Sequence, residues 1–110
     1  MFLQLKDGDV IVTPEGMTLP EVKTLIKSTS KKYYQQALTF LYYMYDKEHS
    51  PYRNLLPDRR AARICQSHLG VDDPEHFYNN KYVHELSIIY IETQYTELEQ
   101  LYEGTKKKYR

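Results

Sequence analysis

Apolar positions recur at helical spacing along most of the chain, and the exceptions lie at its start. Phe2 to Leu5 and Val10 to Val12 are short apolar segments flanking Lys6-Asp7-Gly8-Asp9, where Asp-Gly favours the positive backbone angles of a tight turn. This pattern predicts a small β-hairpin. Two strands alone are marginal in water, so the hairpin should lie against helices or pair its edge with a neighbouring chain. Thr18-Leu19-Pro20-Glu21 then has the form of a capping box with proline in the first turn, and Val22, Leu25 and Ile26 follow at helical spacing.

Ser28-Thr29-Ser30 weakens that first helix, and Ser30 is placed to cap a second. In the second, Tyr33, Tyr34, Ala37, Leu38, Leu41, Tyr42 and Tyr45 repeat with a helical period, which makes it the expected core element. It must stop before Ser50-Pro51, because a proline pushes the preceding residue out of the helical region. After a loop to about Leu56, Pro57 can open a third helix with Ala61, Ile64, Cys65 and Leu69 on one face and Gly70 as a left-handed stop. Asp72-Asp73-Pro74-Glu75 caps a further start, since carboxylates favour the positive end of a helix dipole.

From about Asn80 no breaker occurs until Gly104, and Ile88, Ile91, Tyr95, Leu98 and Tyr102 recur at alternating steps of three and four. Val83, Leu86, Ile89 and Tyr90 widen the apolar face near the start. The front of this helix should be core. Its far end is either a protrusion offering a seam to a partner or a seam closed within the monomer's own bundle. The fold expected is therefore mainly α: a small bundle of four to five helices with a short N-terminal β-hairpin and a long C-terminal helix. It forms one domain, with a hairpin arm over 1–13, a helical core over 18–79, and the long helix with a basic tail over 80–110.

At 110 residues, 41% hydrophobic and 27% charged, the chain is apolar enough to fold and small enough that part of its stability should come from partners. The single cysteine cannot close an internal disulfide, the first nine residues lack the form of a secretion signal, and no apolar run approaches a membrane span. These features predict a soluble protein made in a reducing cytosol. Twelve tyrosines with no tryptophan exceed what one small core should hold, and tyrosine's apolar ring with a wet tip suits interfaces.

Charge is unevenly spread although the net is zero. From Val22 to Arg63, nine basic residues oppose Asp46, Glu48 and Asp58, for a balance of +6. From Ile64 to Glu103, Lys81 alone opposes eight carboxylates, for −7. Such a chain can satisfy itself internally or set a basic face of one copy against an acidic face of the next, a head-to-tail contact that closes into a ring when the rotation permits. The terminal Lys106, Lys107, Lys108 and Arg110 are candidate contacts to nucleic acid phosphates or complements to a helix C-terminus.

Chemistry is sparse. His49, His68, His76 and His84 show no paired spacing with a glutamate of the helical zinc kind; His68, Asp72, Asp73 and His76 could gather metal ligands around one turn, but the aspartates before proline are adequately explained as helix caps. Cys65 falls on an apolar helix face without a local base, and Asp46, His49 and Ser50 supply triad residue types too close together for a relay. The four glycines form no phosphate loop. The expectation is a non-catalytic protein with no metal, cofactor or small-molecule substrate.

One segment carries a resemblance. Tyr42-Tyr43-Met44-Tyr45-Asp46-Lys47-Glu48-His49-Ser50-Pro51-Tyr52-Arg53-Asn54, followed by Asp58-Arg59-Arg60, is similar to a pattern in small helical virion proteins of tailed bacteriophages, in particular head-to-tail connector or ring proteins of the crAss-like group. The likeness covers roughly residues 38 to 80. In physical terms Ser50 and Pro51 break the chain while Asp46 lies within reach of Arg53, Arg59 or Arg60, a carboxylate–arginine clamp that would fix the angle between the second and third helices.

The resemblance implies a structural subunit of a multi-copy ring between portal and tail. It would bind copies of itself, the portal and other connector or tail proteins, around a channel that holds DNA, in a virion assembled in the host cytoplasm. Phe2, Leu3 and Leu5 of the hairpin and Tyr95, Leu98 and Tyr102 of the last helix are the candidate interface residues. The alternative is a nucleic-acid-binding accessory protein using the basic 23–63 face and the C-terminal basic tail.

Overall fold

A computed structural model describes residues 2–47 and 49–108, with side chains described as far as Gln94. Two strands, β1 (Leu3–Lys6) and β2 (Asp9–Val12), pair antiparallel with Leu3 opposite Val12 and Lys6 opposite Asp9. Asp7 and Gly8 join them at φ of 53° and 84°, the two positive angles of a type I′ turn. The hairpin lies against helices, the first of the two expected placements. Val10, Leu3 and Phe2 are buried, and the Phe2 ring meets Tyr90 edge-on at 5.1 Å.

Five helices follow: α1 (Pro20–Ser28), α2 (Lys31–Tyr45), α3 (Pro57–Ile64), α4 (Glu75–Tyr78) and α5 (Lys81–Lys108). The molecule is thus mainly helical with a two-stranded hairpin, as the periodicity predicts. A short 3-10 turn over Gly16–Thr18 leads into α1, and there the expected capping box fails. The Thr18 hydroxyl donates to the Glu15 carbonyl at 2.7 Å within that turn, and α1 begins at Pro20, with Leu19 at its N-cap position and no side-chain cap.

Ser30 does cap α2, accepting from the Tyr33 N–H at 3.1 Å. This helix is the central element and touches both strands, α1, α3 and α5. It buries Ala37, Leu38, Leu41 and Tyr42 as expected, and Phe40 and Met44 besides, so it is enclosed around most of its circumference. α3 buries Ala61 and Ile64, then widens into a π turn over Cys65–Leu69 that buries Cys65 and Leu69. Gly70, at φ 62°, ends it in the left-handed conformation. The Asp73 carboxylate accepts from the Glu75 N–H at 3.0 Å, and Asn80, not foreseen as a cap, accepts from Tyr82 and Val83 at the head of α5.

α5 runs through Gly104 without a break, 28 residues and about 42 Å at 1.5 Å per residue. Its buried positions are Val83, Leu86, Ser87, Tyr90 and Gln94. The row begun by Ile88 and Ile91 is a different face, turned about 100° around the helix at 3.6 residues per turn. Ile88 is 44% exposed and Ile91 half-buried, so the described part of this row is not closed inside the monomer. Among the described residues no helix is long and apolar enough to cross a membrane.

Candidate functional site

Between Asp46 and Leu56 the described residues, which connect α2 to α3, form no regular element, so their backbone carbonyls need partners from side chains or water. Arg60, on the first turns of α3, serves three of them and reaches back to one carbonyl of α2. Its Nε donates to the Tyr52 carbonyl at 3.1 Å, Nη1 to Met44 at 2.9 Å, and Nη2 to Arg53 at 3.2 Å and Leu55 at 2.8 Å. One planar guanidinium therefore ties the end of α2, the loop and the start of α3 together. Ser50, fully buried, donates its hydroxyl to the Tyr43 carbonyl at 2.5 Å and accepts from the Tyr52 N–H, while its own carbonyl accepts from Arg53 Nη1 at 2.8 Å. Pro51 holds this turn at the surface.

The expected carboxylate–arginine clamp is thereby corrected. Arg60 and Arg53 bind main-chain carbonyls, and Arg59 is exposed on the outer side of α3. The reason is local: an irregular loop exposes many carbonyls within reach of a five-donor fork, whereas Asp46 is turned inward. Its carboxylate, buried to 2% exposure, accepts from the Tyr90 hydroxyl at 2.8 Å, the His49 N–H at 2.7 Å and His49 Nδ1 at 3.2 Å. Asp46 therefore fastens the end of α2 to α5.

Gln94 completes the joint. Its amide donates to the carbonyls of Tyr45 at 2.9 Å and Tyr90 at 3.2 Å, and its oxygen accepts from the Lys47 N–H at 2.9 Å. This residue was missed in the sequence, though a signal was present: it continues the buried Val83, Leu86 and Tyr90 row at helical spacing, and a polar group on that face must find partners. Beside the joint opens a cleft of about 500 Å³, with Lys47, Arg53, Asn54 and Arg60 in its lining together with Asp46 and Ile91.

Tyrosines surround the core. Of the nine with described side chains, Tyr42 and Tyr90 are buried, Tyr78 is 40% exposed, and Tyr33, Tyr34, Tyr43, Tyr45, Tyr52 and Tyr82 are half-buried with rings against the core. Burial pushes the Tyr78 hydroxyl up to about 12 and raises Tyr45, where a hydrogen bond to Ser87 and the Arg60 charge act in opposition.

The chemically suggestive residues are dispersed. His68 stacks on Tyr43 at 4.3 Å and pairs with the Tyr52 hydroxyl at 2.9 Å, while His76 packs against Tyr33 and Phe77. Among the described residues no three metal-ligating groups converge. Cys65 is fully buried, which raises its thiol above the ordinary range, with Asp73 adding in the same sense. Asp46 and His49 are hydrogen-bonded, but the Ser50 hydroxyl is committed to the Tyr43 carbonyl inside the loop.

The candidate interface residues divide. Phe2 and Leu3, at 4% and 3% exposure, belong to the core, correcting their reading as outward-facing residues; two strands of four residues bury what a helix lies across. Leu5 is 42% exposed. Tyr95, Leu98, Tyr102, Lys106, Lys107 and Lys108 lie on α5 beyond the described side chains, and Arg110 lies outside the described residues. Among the described residues no carboxylate lies within ion-pairing distance of Lys23, Lys27, Lys31 or Lys32. No protein-family model, curated protein or solved structure matches the chain.

Proposed function

We propose that this chain is a structural, non-catalytic subunit of a multi-copy ring in the portal-to-tail connector of a tailed bacteriophage. The observation that carries the reading is the second face of α5. Ile88 and Ile91 begin an apolar row that stands apart from the face packed on the body, and the positions of Tyr95, Leu98 and Tyr102 continue it at helical spacing. A small domain that spends a long helix on such a row is built to be covered by another chain. Lys23, Lys27, Lys31 and Lys32, without carboxylate partners among the described residues, and the resemblance over residues 38 to 80 support the same reading.

The test is the composition of purified virions. Mass spectrometry of gradient-purified phage particles from the producing host should find the chain at several copies per portal assembly. Its absence from particles that contain portal and major capsid protein would refute the reading. The unpaired lysines also suit a nucleic-acid-binding accessory protein, whose affinity falls steeply with salt. Failure to bind duplex or single-stranded DNA at low salt removes that alternative.

A further inference from the structure

Among the described residues, the hairpin leaves one strand edge without a partner. The two-residue turn makes Lys6 and Asp9 a hydrogen-bonded pair, and the Thr13 N–H donates to the Phe2 carbonyl at 2.9 Å. Bonded pairs therefore alternate along the ladder, and the N–H and C=O of Leu3 and Leu5 point away from β2. The same alternation turns Val10 outward on the far edge of β2, and there its carbonyl accepts from Gln35 Nε2 at 2.8 Å. On the β1 side, no donor or acceptor among the described residues reaches the outward groups of Leu3 or Leu5.

A groove of about 240 Å³ follows this edge, lined by Leu3, Gln4, Leu5, Tyr42, Asp46 and His49. Side chains alternate between the faces of a strand, so three consecutive strand residues line one groove only along the strand's edge. Gln4 is exposed and Leu5 is 42% exposed, whereas Leu3 is at 3% exposure. The Asp46 carboxylate already accepts from Tyr90 and His49. Backbone groups shut away from water without partners are costly, and N–H and C=O groups at alternate positions are matched by another extended backbone.

A second β1 matches this edge in one register. Set antiparallel about a two-fold axis at Gln4, Leu3 of each copy faces Leu5 of the other, and the two pairs exchange four N–H to C=O bonds that meet every outward group of both residues on both chains. The exposed Leu5 of one copy then comes beside Leu3 and Tyr42 of the other. Lys6 stands four positions from its counterpart, about 14 Å along the strand, beyond the screening length of about 8 Å at physiological salt. We propose that the free edge of β1 pairs with β1 of a second copy, giving a four-stranded antiparallel sheet across a two-fold axis through Gln4. A two-fold pair closes on itself, so this contact is distinct from any head-to-tail contact of a ring and does not rest on the connector reading.

The axis supplies the test, because a residue faces itself only there. In the full-length chain, Gln4→Lys sets two ammonium groups opposite each other and Gln4→Glu two carboxylates. Gln4 is exposed, and circular dichroism of each variant checks that the fold is kept. The contact is smaller than the about 1,200 Å² of a stable interface, so sedimentation velocity at low salt should show weak dimers of the unaltered chain, growing up to about 1 mM. Each Gln4 variant alone should dimerise about ten-fold more weakly, and an equimolar mixture of the two should regain dimers, since unlike charges then meet at the axis. Leu5→Pro removes an outward N–H and no bond of the hairpin itself, and should also weaken the dimer about ten-fold. Amide exchange followed by NMR should slow at Leu3 and Leu5 as concentration rises.

An unaltered chain that stays monomeric at about 1 mM overturns the proposal, as does a mixture of the Gln4 variants that gains nothing over its components. Association that Gln4→Lys and Leu5→Pro leave unchanged overturns it also and assigns the contact to another surface. Dimers restored in the mixture, with no chain in purified particles, would leave the strand contact standing and remove the connector reading. A monomeric chain found in those particles would remove the strand contact alone.

Discussion

Removing the Arg60 guanidinium should loosen the joint between α2, the loop and α3. Arg60→Met keeps the length of the apolar stem and deletes four hydrogen bonds of 2.8–3.2 Å to the carbonyls of Met44, Tyr52, Arg53 and Leu55. Bonds with one charged partner contribute about 1.5–3 kcal/mol each when well buried. These border an open cleft and the carbonyls can rehydrate, which brings each to nearer 1 kcal/mol, and bonds sharing one side chain do not add fully. A total of about 3 kcal/mol follows.

At about 4–8 °C per kcal/mol for a domain of this size, thermal melts followed by circular dichroism should shift down by about 12–24 °C. Arg60→Lys separates geometry from charge: a point ammonium cannot reach four carbonyls, so it should recover less than half of the loss. A cost below about 1 kcal/mol for Arg60→Met by urea titration, with unchanged slope, would show that the loop is held by something other than the guanidinium.

Tyr90→Phe keeps the ring against Phe2 but removes the 2.8 Å bond to the buried Asp46 carboxylate, and should cost about 1–3 kcal/mol in urea unfolding; a neutral result would mean that water replaces the hydroxyl. Gly16→Ala would place a Cβ 2.6 Å from Phe2 Cβ and from Val12 Cγ1, and should cost about 1–3 kcal/mol by displacing the hairpin, read as a lower melting temperature with loss of the Phe2–Tyr90 contact. Tyr78 is held up at about 12, chiefly by burial, against an ordinary value of 10.0. The folded state thus keeps a proton that the unfolded chain gives up, so the associated stability is intact below pH 10 and is lost as pH rises towards 12. Melting temperatures over that window should fall less steeply in Tyr78→Phe, and tyrosinate absorbance showing Tyr78 titrating at the ordinary value would refute this.

What the sequence reveals here is what short-range rules govern. The Asp7-Gly8 turn, the Ser30 cap, the buried face of α3 and the Gly70 stop each depend on residues within a turn of one another, and each is found in place. Thr18 shows the limit of such rules, since a 3-10 turn that spacing does not announce takes its hydroxyl first. The loop shows a larger one. Asp46, Arg53 and Arg60 are recognisable as a structural group, but proximity in sequence does not say whether a guanidinium meets a carboxylate or the carbonyls of an irregular backbone. The periodicity of α5 identifies both of its rows; that they face in different directions emerges only when the body is seen to cover one of them.

Gln94 has a consequence for how the chain matures. The last carbonyl of α2, that of Tyr45, and the Lys47 N–H two residues beyond it are bound by an amide 49 and 47 positions further along. Arg60 can reach the Met44 carbonyl before α5 exists, but the Tyr45 carbonyl and the Lys47 N–H gain Gln94 only when the middle of α5 has been made and docked. Because Lys47 and Ile91 line the same cleft, a nascent or truncated chain ending before that point has no such cleft to offer. That cleft is thus complete only in chains whose last helix has docked.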